Sequence, residues 1–308
     1  LEYMWIQQAI KGQLYPFVEQ HPLTKGHVNF TNQEVNRGLA LEASKDRYFA
    51  TLDMKDASDS VSLALVCVLF SRTPLLQALL ATRTPDVFAN NQKHHYKKFA
   101  PMGSALCFPV EALVFWSIAV ATLHVCAKVP LANAVKSVYV FGDDIIVPRE
   151  YTSFLFSTFP SFCLKFNENK CCVDGFFRES CGCDAFHGVD VTPIKVKALM
   201  PVKRLAKMER KSLIATDPSG LVSWVEYANE FYSRGYFNFG NHMKNIVEGI
   251  LGPLPVANGP PNPLVNWGFA TPQDQSRLRK RWNFALQCWQ YRTWGVSPYE
   301  HKLEETNH

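Results

Sequence analysis

Two adjacent carboxylates, Asp143 and Asp144, follow Gly142 between the apolar runs Tyr139–Phe141 and Ile145–Val147. The β-branched and aromatic residues on either side read as strands. Glycine supplies the positive φ that a two-residue hairpin turn demands, and aspartate tolerates it. Adjacent strand residues point to opposite faces, so a turn is needed to bring both carboxylates near one site. Two unpaired carboxylates at an apolar tip repel each other and are costly to desolvate. A divalent cation offsets that cost, and magnesium takes hard oxygen ligands from few protein carboxylates together with substrate phosphates. Far upstream, Asp53 ends a second apolar run, Tyr48–Leu52, and Asp59 follows it. Acids on a hairpin tip and a strand end can hold two magnesium ions about 4 Å apart, activating a 3′-hydroxyl and stabilising a pyrophosphate leaving group.

The upstream segment, Thr51 to Ser60, leaves a strand and enters the helical run Val61–Phe70. Part of its acidity suits helix capping, with Ser58, Asp59 or Ser60 accepting from free N–H groups of the first turn. Asp53 precedes any such cap. Taken alone, the Gly-Asp-Asp turn fits plain hairpin chemistry as well as a metal site. Asp53 and Asp59 favour the metal site.

Several further segments occur in a fixed order: Asp53–Ser62, Met102–Glu111, the hairpin Phe141–Asp144, then Gly175–Gly182 (Gly-Phe-Phe-Arg-Glu-Ser-Cys-Gly) and Gly188–Pro193 (Gly-Val-Asp-Val-Thr-Pro). On these segments the chain resembles the replicase catalytic subunit of single-stranded RNA bacteriophages, the leviviruses, which is an RNA-directed RNA polymerase. Asn32–Arg37 also resembles the segment those enzymes carry just ahead of the first catalytic acid. The resemblance covers residues 1 to 200 or so. The Gly-Asp-Asp is moderately specific, and the last two segments are much narrower.

The resemblance implies a catalytic metal site of Asp53, Asp143 and Asp144, the last as the hairpin neighbour of the second. It implies that Asp59 senses the ribose 2′-hydroxyl of the incoming nucleotide, and that Gly103 and Ser104 lie in the loop supporting the template–nucleotide pair. Lys170 stands where polymerases of this type often carry a lysine, one able to protonate the leaving pyrophosphate. A solvated surface lysine fits Lys170 equally well. Two magnesium ions, with manganese as substitute, are the implied cofactors. Template and product RNA and ribonucleoside triphosphates are the implied partners, joined by host elongation factors Tu and Ts and a ribosomal protein. The implied place of work is the cytoplasm of the bacterial host.

The second segment departs from the family pattern. The best-known members have serine ahead of the Met-Gly, a second glycine two residues beyond it, and an acid where Pro109 stands. This chain has Pro101, Ala105 and Pro109. Losing the second glycine restricts a loop expected to move, which bears on nucleotide contacts rather than on the metal site.

At 308 residues the chain is long enough for a large core and more than one domain. Lys and Arg outnumber Asp and Glu by 32 to 27, an excess that nucleic-acid binding allows without requiring. Between Lys195 and Lys211 lie seven basic residues, Lys195, Lys197, Lys203, Arg204, Lys207, Arg210 and Lys211, and one acid, Glu209. They follow the catalytic region directly and suit phosphate contact with RNA. A second cluster, Arg277 to Trp282, is interleaved with aromatics through Trp289, Tyr291 and Trp294. Two readings stay open for it: phosphate contact with base stacking, or a solvated helix face with its Trp residues packed inward.

The nine cysteines include no Cys-x2-Cys pair, and Cys181 and Cys183 stand too close for a usual tetrahedral zinc knuckle. No secretory signal is evident, so reduced structural thiols are expected. His94 and His95 are assigned to a polar loop, Asn90–Lys98, facing solvent or RNA. The longest apolar stretch, Ala112–Ala127, falls short of the ~20 residues that span a bilayer and reads as a buried helix behind the Met-Gly loop. No membrane segment is expected.

The expected fold class is α+β: a right-hand polymerase palm, an antiparallel sheet backed by helices, with partial fingers and a mainly helical thumb. Residues 1–46 read as the remnant of a fingers region, in a chain that opens on Leu1 and is expected to be truncated at its N-terminus. Residues 47–200 read as the palm, with a finger insertion at 75–105. Residues 201–308 read as a thumb-like region with helices at Val202–Ile214 and Leu221–Gly235 and a Pro/Gly linker at 252–263. Two other functions compete. A reverse transcriptase-like polymerase usually lacks glycine before its dyad and excludes the ribose hydroxyl with a bulky residue, where this chain has Asp59. A non-catalytic RNA-binding fragment would bind RNA in a salt-dependent manner with no metal requirement.

Overall fold

The computed structural model describes residues 2–195, 218–257, 265–267 and 276–294. Helices and small, mostly antiparallel sheets are mixed along the chain, an α+β arrangement, in two units, 1–193 and 194–308.

The first unit opens with helices α1 (Glu2–Gln20) and α2 (Glu34–Asp46), followed by strand β1 (Phe49–Asp53). Short helices α3 (Ala57–Ser60), α4 (Leu63–Leu69) and α5 (Leu75–Thr82) precede a hairpin of β2 (Asp86–Ala89) and β3 (Gln92–His95). Helices α6 (Cys107–Val125) and α7 (Leu131–Ser137) lead into β4 (Tyr139–Phe141) and β5 (Asp144–Pro148). After α8 (Thr152–Thr158) comes a second sheet of β6 (Phe177–Ser180), β7 (Cys183–Phe186) and β8 (Val189–Asp190).

The first sheet has the order β1-β5-β4, all antiparallel, with Asp53 and Phe141 both opposite Asp144. In β1 and β5 every residue after the first is buried, which is why both read as apolar runs rather than alternating patterns. Neighbouring segments cover the sheet's outer edges. Asn29 donates to the Val140 carbonyl at 3.0 Å, and Val140 to that of His27 at 2.7 Å. On the other side Thr51 and Cys172 exchange backbone bonds of 3.2 and 2.8 Å. Pairing of this kind removes a free strand edge.

Helix α6 is apolar around its whole circumference, with Val110, Ala112, Val114, Phe115, Ala119 and Leu123 fully buried, as a core helix must be. It begins ahead of the apolar stretch seen in sequence. At 19 residues it is long and apolar enough to cross a membrane, so the length argument fails; its burial makes it the central helix of this unit's core.

Arg178, in β6, is also wholly buried. It donates to the carbonyls of Phe177 (2.6 Å), Phe49 (2.7 Å), Gly175 (3.2 Å), Val173 (3.3 Å) and Asp174 (3.4 Å). Nη1 serves three of these carbonyls with its two hydrogens while Nε and Nη2 serve one each, a spread that a planar guanidinium covers and a lysine cannot. The Glu179 N–H adds a bond to Thr51 Oγ1 at 3.3 Å, so β6 is tied to β1 twice.

Two local expectations change. Ser62 caps α4, accepting from the Leu65 N–H at 3.2 Å with the extended backbone of an N-cap, because residues 57–60 are already helical. Ser58, Asp59 and Ser60 are therefore not the cap. His94 and His95 lie in strand β3 rather than a loop, and His95 pairs with Asp86 across the hairpin.

In the second unit, α9 (Pro218–Ser233) and α10 (Phe237–Leu251) pack through Leu221, Val225, Val247, Ile250 and Leu251. Strands β9 (Val256–Ala257) and β10 (Asn266–Trp267) form a short parallel pair, and β11 (Lys280–Asn283) and β12 (Cys288–Tyr291) an antiparallel hairpin. The expected helix at Leu221–Gly235 is α9. The helix expected at Val202–Ile214 and residues 258–263 of the expected linker lie outside the described residues. The basic and aromatic segment from Lys280 is a hairpin, which replaces the helix-face reading.

Candidate active site

The hairpin tip is shaped by Gly142, the one residue of the turn with a left-handed φ, 63°. A methyl group at this position would fall 2.2 Å from Phe108 Cε2. The Phe108 ring, from the first turn of α6, fills that space and meets Phe141 edge-on at 5.3 Å between centroids. Gly142 thus serves both the turn and the close approach of α6.

Beyond the turn, Asp143 shares a cleft of about 1090 Å³ with Asp53, walled also by Lys55, Lys165, Asn167 and Lys170. Asp53 is largely buried, accepts from Asn167 Nδ2 at 3.1 Å and lies 3.6 Å from Lys170 Nζ. The Asn167 N–H donates to the Asp53 carbonyl at 2.8 Å, so the loop bearing Lys170 hangs from β1. Burial holds the Asp143 carboxyl above its ordinary range; the Asp53 charge adds to this and Lys170 opposes it. Asp144 turns to another neighbour, accepting from the Cys181 N–H at 2.8 Å. Burial, with the charges of Asp143 and Glu179, pushes its carboxyl up to about 6.

Sequence reasoning passes over Glu111 as a site residue. It is buried in α6, and burial together with the Asp143 charge pushes its carboxyl up to about 7. Cys107 Sγ lies 3.7 Å from its Oε2. A carboxyl raised above its ordinary 4.5 makes the folded state hold more protons than the unfolded state between pH 4.5 and 7. Stability therefore falls as pH rises through that window. Glu111→Gln is expected to gain stability over the parent at pH 8, by ~1–3 kcal/mol in chelator, and to lose that advantage near pH 5. Thermal melts at the two pH values measure the difference; equal shifts at both would remove Glu111 from this account.

Asp59, Gly103 and Ser104 are not among the residues lining the cleft. The Asp59 carboxylate accepts from Lys98 Nζ at 2.5 Å, and its charge contributes to holding the buried Cys107 thiol up at about 12, where burial and Glu111 are the larger causes. Gly103 has a φ of 98°, and the neighbouring Met102 is highly exposed. Ser104 Oγ donates to Gln7 Oε1 at 3.1 Å, and the Ala105 N–H donates to the same oxygen at 3.1 Å. Gln7 Nε2 in turn donates to the Thr82 carbonyl at 2.7 Å. Buried Gln7 thus fastens this loop to α5, a role its position in sequence does not signal. Lys195 is exposed; Lys197, Lys203, Arg204 and Lys207 lie outside the described residues. All nine cysteines are free thiols. Among the described residues no group of three or more His, Cys, Asp and Glu side chains converges in metal-binding geometry.

A strand-end acid and a hairpin-tip acid line one cleft beside an antiparallel sheet. Residues 4–210 match the RNA replicase, beta-chain family, and the chain belongs to it. Its relatives include the RNA-directed RNA polymerase beta chains of Enterobacteria phage fr, 32% identical over 194 residues, and of Escherichia phage MS2, 33% identical over 194 residues. The RNA-directed RNA polymerase subunit beta of Qbeta virus (strain MX1) is 34% identical over 196 residues. Each match covers 63% of this chain and 33%, 33% and 31% of the respective relative. The chain therefore spans about a third of the length of the relatives it matches.

Proposed function

We propose that this chain carries the chemical centre of an RNA-directed RNA polymerase that copies a single-stranded RNA phage genome. The observation carrying this reading is that Asp53 and Asp143 face one cleft with three lysines, in a member of the replicase family. In this reading the β1-β5-β4 sheet backed by α6 is the palm. Residues 1–46 and the insertion at 75–105 serve as finger elements, and residues 201–308 serve as a thumb-like region.

The donor set suits magnesium. Asp53 and Asp143 offer hard carboxylate oxygens, and the partly desolvated Asp143 gains from a nearby cation. These two residues would hold the ions; Asp144, expected beside them, is their hairpin neighbour, its carboxylate taken up by the Cys181 N–H. When bound, the metal lowers the pKa of an attacking 3′-hydroxyl and neutralises charge on the triphosphate. Asn167 orients the Asp53 carboxylate through its 3.1 Å bond. Lys170, exposed and 3.6 Å from Asp53, is placed to give a proton to the leaving pyrophosphate. Gly103 and Ser104, fastened by Gln7, support the template–nucleotide pair. Lys195, Lys197, Lys203, Arg204 and Lys207 contact RNA phosphates. Association with host elongation factors Tu and Ts and a ribosomal protein, in the bacterial cytoplasm, belongs to the same reading.

Template-dependent incorporation of ribonucleotides in magnesium, lost on chelation, is the expected result. Preference for deoxynucleotides would overturn the reading in favour of a reverse transcriptase. Salt-dependent RNA binding without any metal-dependent incorporation would favour a non-catalytic module.

A narrower prediction concerns Asp59, whose exposed carboxylate is oriented by Lys98. Asp59→Ala removes the acceptor for a ribose 2′-hydroxyl, an interaction of ~1–3 kcal/mol. Discrimination between ribo- and deoxyribonucleotides is expected to fall ~10-fold or more, with the melting temperature little changed. Unaltered discrimination in single-nucleotide incorporation assays would take Asp59 out of the site.

A further inference from the structure

The β11–β12 hairpin lies beyond the residues matched to the replicase family and has no part in the chemistry above. Between Ser276 and Trp294 the sequence has five basic residues, Arg277, Arg279, Lys280, Arg281 and Arg292, and no acid. That charge equals the +5 of the whole chain. Arg277 is neutralised by Glu248 at 2.5 Å. For Arg279, Lys280, Arg281 and Arg292 no acidic partner occurs among the described residues.

The register sorts the aromatics. Trp282 stands opposite Trp289, and Lys280 opposite Tyr291, so these four share one face of the ribbon. The two indoles meet edge-to-face at 5.3 Å, and Lys280 Nζ lies 4.8 Å over the Trp289 ring. Trp289 is 51% exposed, and Phe284 at the tip is 79% exposed. Both feet of the ribbon are fixed to α10: Arg277 through Glu248, and Trp294 Nε1 through a 2.8 Å bond to the Leu251 carbonyl. Exposed indoles on an anchored ribbon are costly to leave in water, and the ribbon's cations, Lys280 beside the indoles and Arg279, Arg281 and Arg292 on the opposite face, repel one another. A ligand that is both polyanionic and rich in flat aromatic rings relieves both penalties.

We propose that the β11–β12 hairpin is a binding platform for single-stranded RNA. Bases stack on Trp289 and Trp282 with Lys280 on the same face, while the phosphate backbone follows the ribbon's edge to Arg279, Arg281 and Arg292, which the register places on the opposite face. Stacking on exposed indoles requires unpaired bases, so the platform selects single strands over duplex and tolerates any sequence. The choice of RNA as polymer rests on the replicase reading; the stacking and charge do not.

Fluorescence anisotropy of a labelled 12-nucleotide oligouridine titrated with the 308-residue chain tests this. Trp289→Ala is expected to weaken binding ~5- to ~100-fold, and Trp289→Phe to restore most of the loss. Lys280→Gln with Arg281→Gln is expected to reduce the salt slope by ~1.4, since each phosphate contact contributes ~0.7 on a single strand. The same variants are expected to change binding of an RNA duplex far less. Parental affinity in both the Trp289→Ala and the double Gln variant overturns the proposal. So does an equal loss toward duplex, which would mark a mere polyanion patch, or a loss toward anionic lipid vesicles in place of RNA. Should Trp289→Ala lower the melting temperature, the exposed Lys280 and Arg281 changes decide alone. Asp143→Asn is expected to leave this binding intact, so failure of the platform and failure of the polymerase reading give different results.

Discussion

Asp143→Asn is expected to lower template-dependent ribonucleotide incorporation ~10³-fold or more if, as proposed, the chain carries a polymerase's chemical centre, because the amide keeps the side chain's shape without the charge proposed to position metal. Loss of activity by unfolding predicts something different. Burial and the neighbouring Asp53 raise the Asp143 carboxyl, so ionising it in the absence of metal costs the folded state free energy. The amide avoids that cost. The melting temperature in chelator is therefore expected to stay level or rise while activity collapses. Incorporation near the parental rate would refute the assignment of Asp143. Asp53→Asn is expected to lower incorporation likewise, with an added loss of order at Asn167 and Lys170, which lean on the same carboxylate.

The largest expected effect on stability lies outside the cleft. Arg178→Met keeps a long unbranched side chain but removes the buried donor from five part-buried carbonyls. Breaking one side of a buried charged network costs ~3–5 kcal/mol. A shift of that size in the urea midpoint, at unchanged m-value, is the expected result. Arg178→Lys is expected to recover little, since one ammonium cannot reach carbonyls on both β1 and the 173–177 loop. A midpoint close to the parent's for either variant would mean that water or rearranged backbone satisfies those carbonyls.

The hairpin is legible in the sequence because its requirements are local: its turn needs glycine, which Gly142 supplies with a φ of 63°, and Asp53 ends a readable strand. Glu111, Gln7 and Lys98 are less legible. Each acts through a partner distant in the chain, Asp143, Ser104 and Asp59 respectively, and such pairings leave no mark on periodicity. Arg178 stands in a recognisable motif, yet arginine is seldom wholly buried, so nothing in its neighbours predicts its place. The β11–β12 segment is ambiguous for another reason. Arginine, lysine and tryptophan side by side suit a helix face or a strand pair equally, and only the pairing of Trp282 with Trp289 decides it. The capping of α4 shows how closely spaced Ser and Asp residues compete for one role, with backbone shape selecting Ser62.

The contact between Gly142 and Phe108 has a consequence for how such chains can be recombined. The ring occupies the volume that any side chain at 142 would need, so the hairpin and the start of α6 form one indivisible module. A chimaera that imports a hairpin with a larger residue at 142 must also import a smaller residue at 108. Homologous exchange is therefore best cut ahead of Met102 and after Pro148, so that the two travel together.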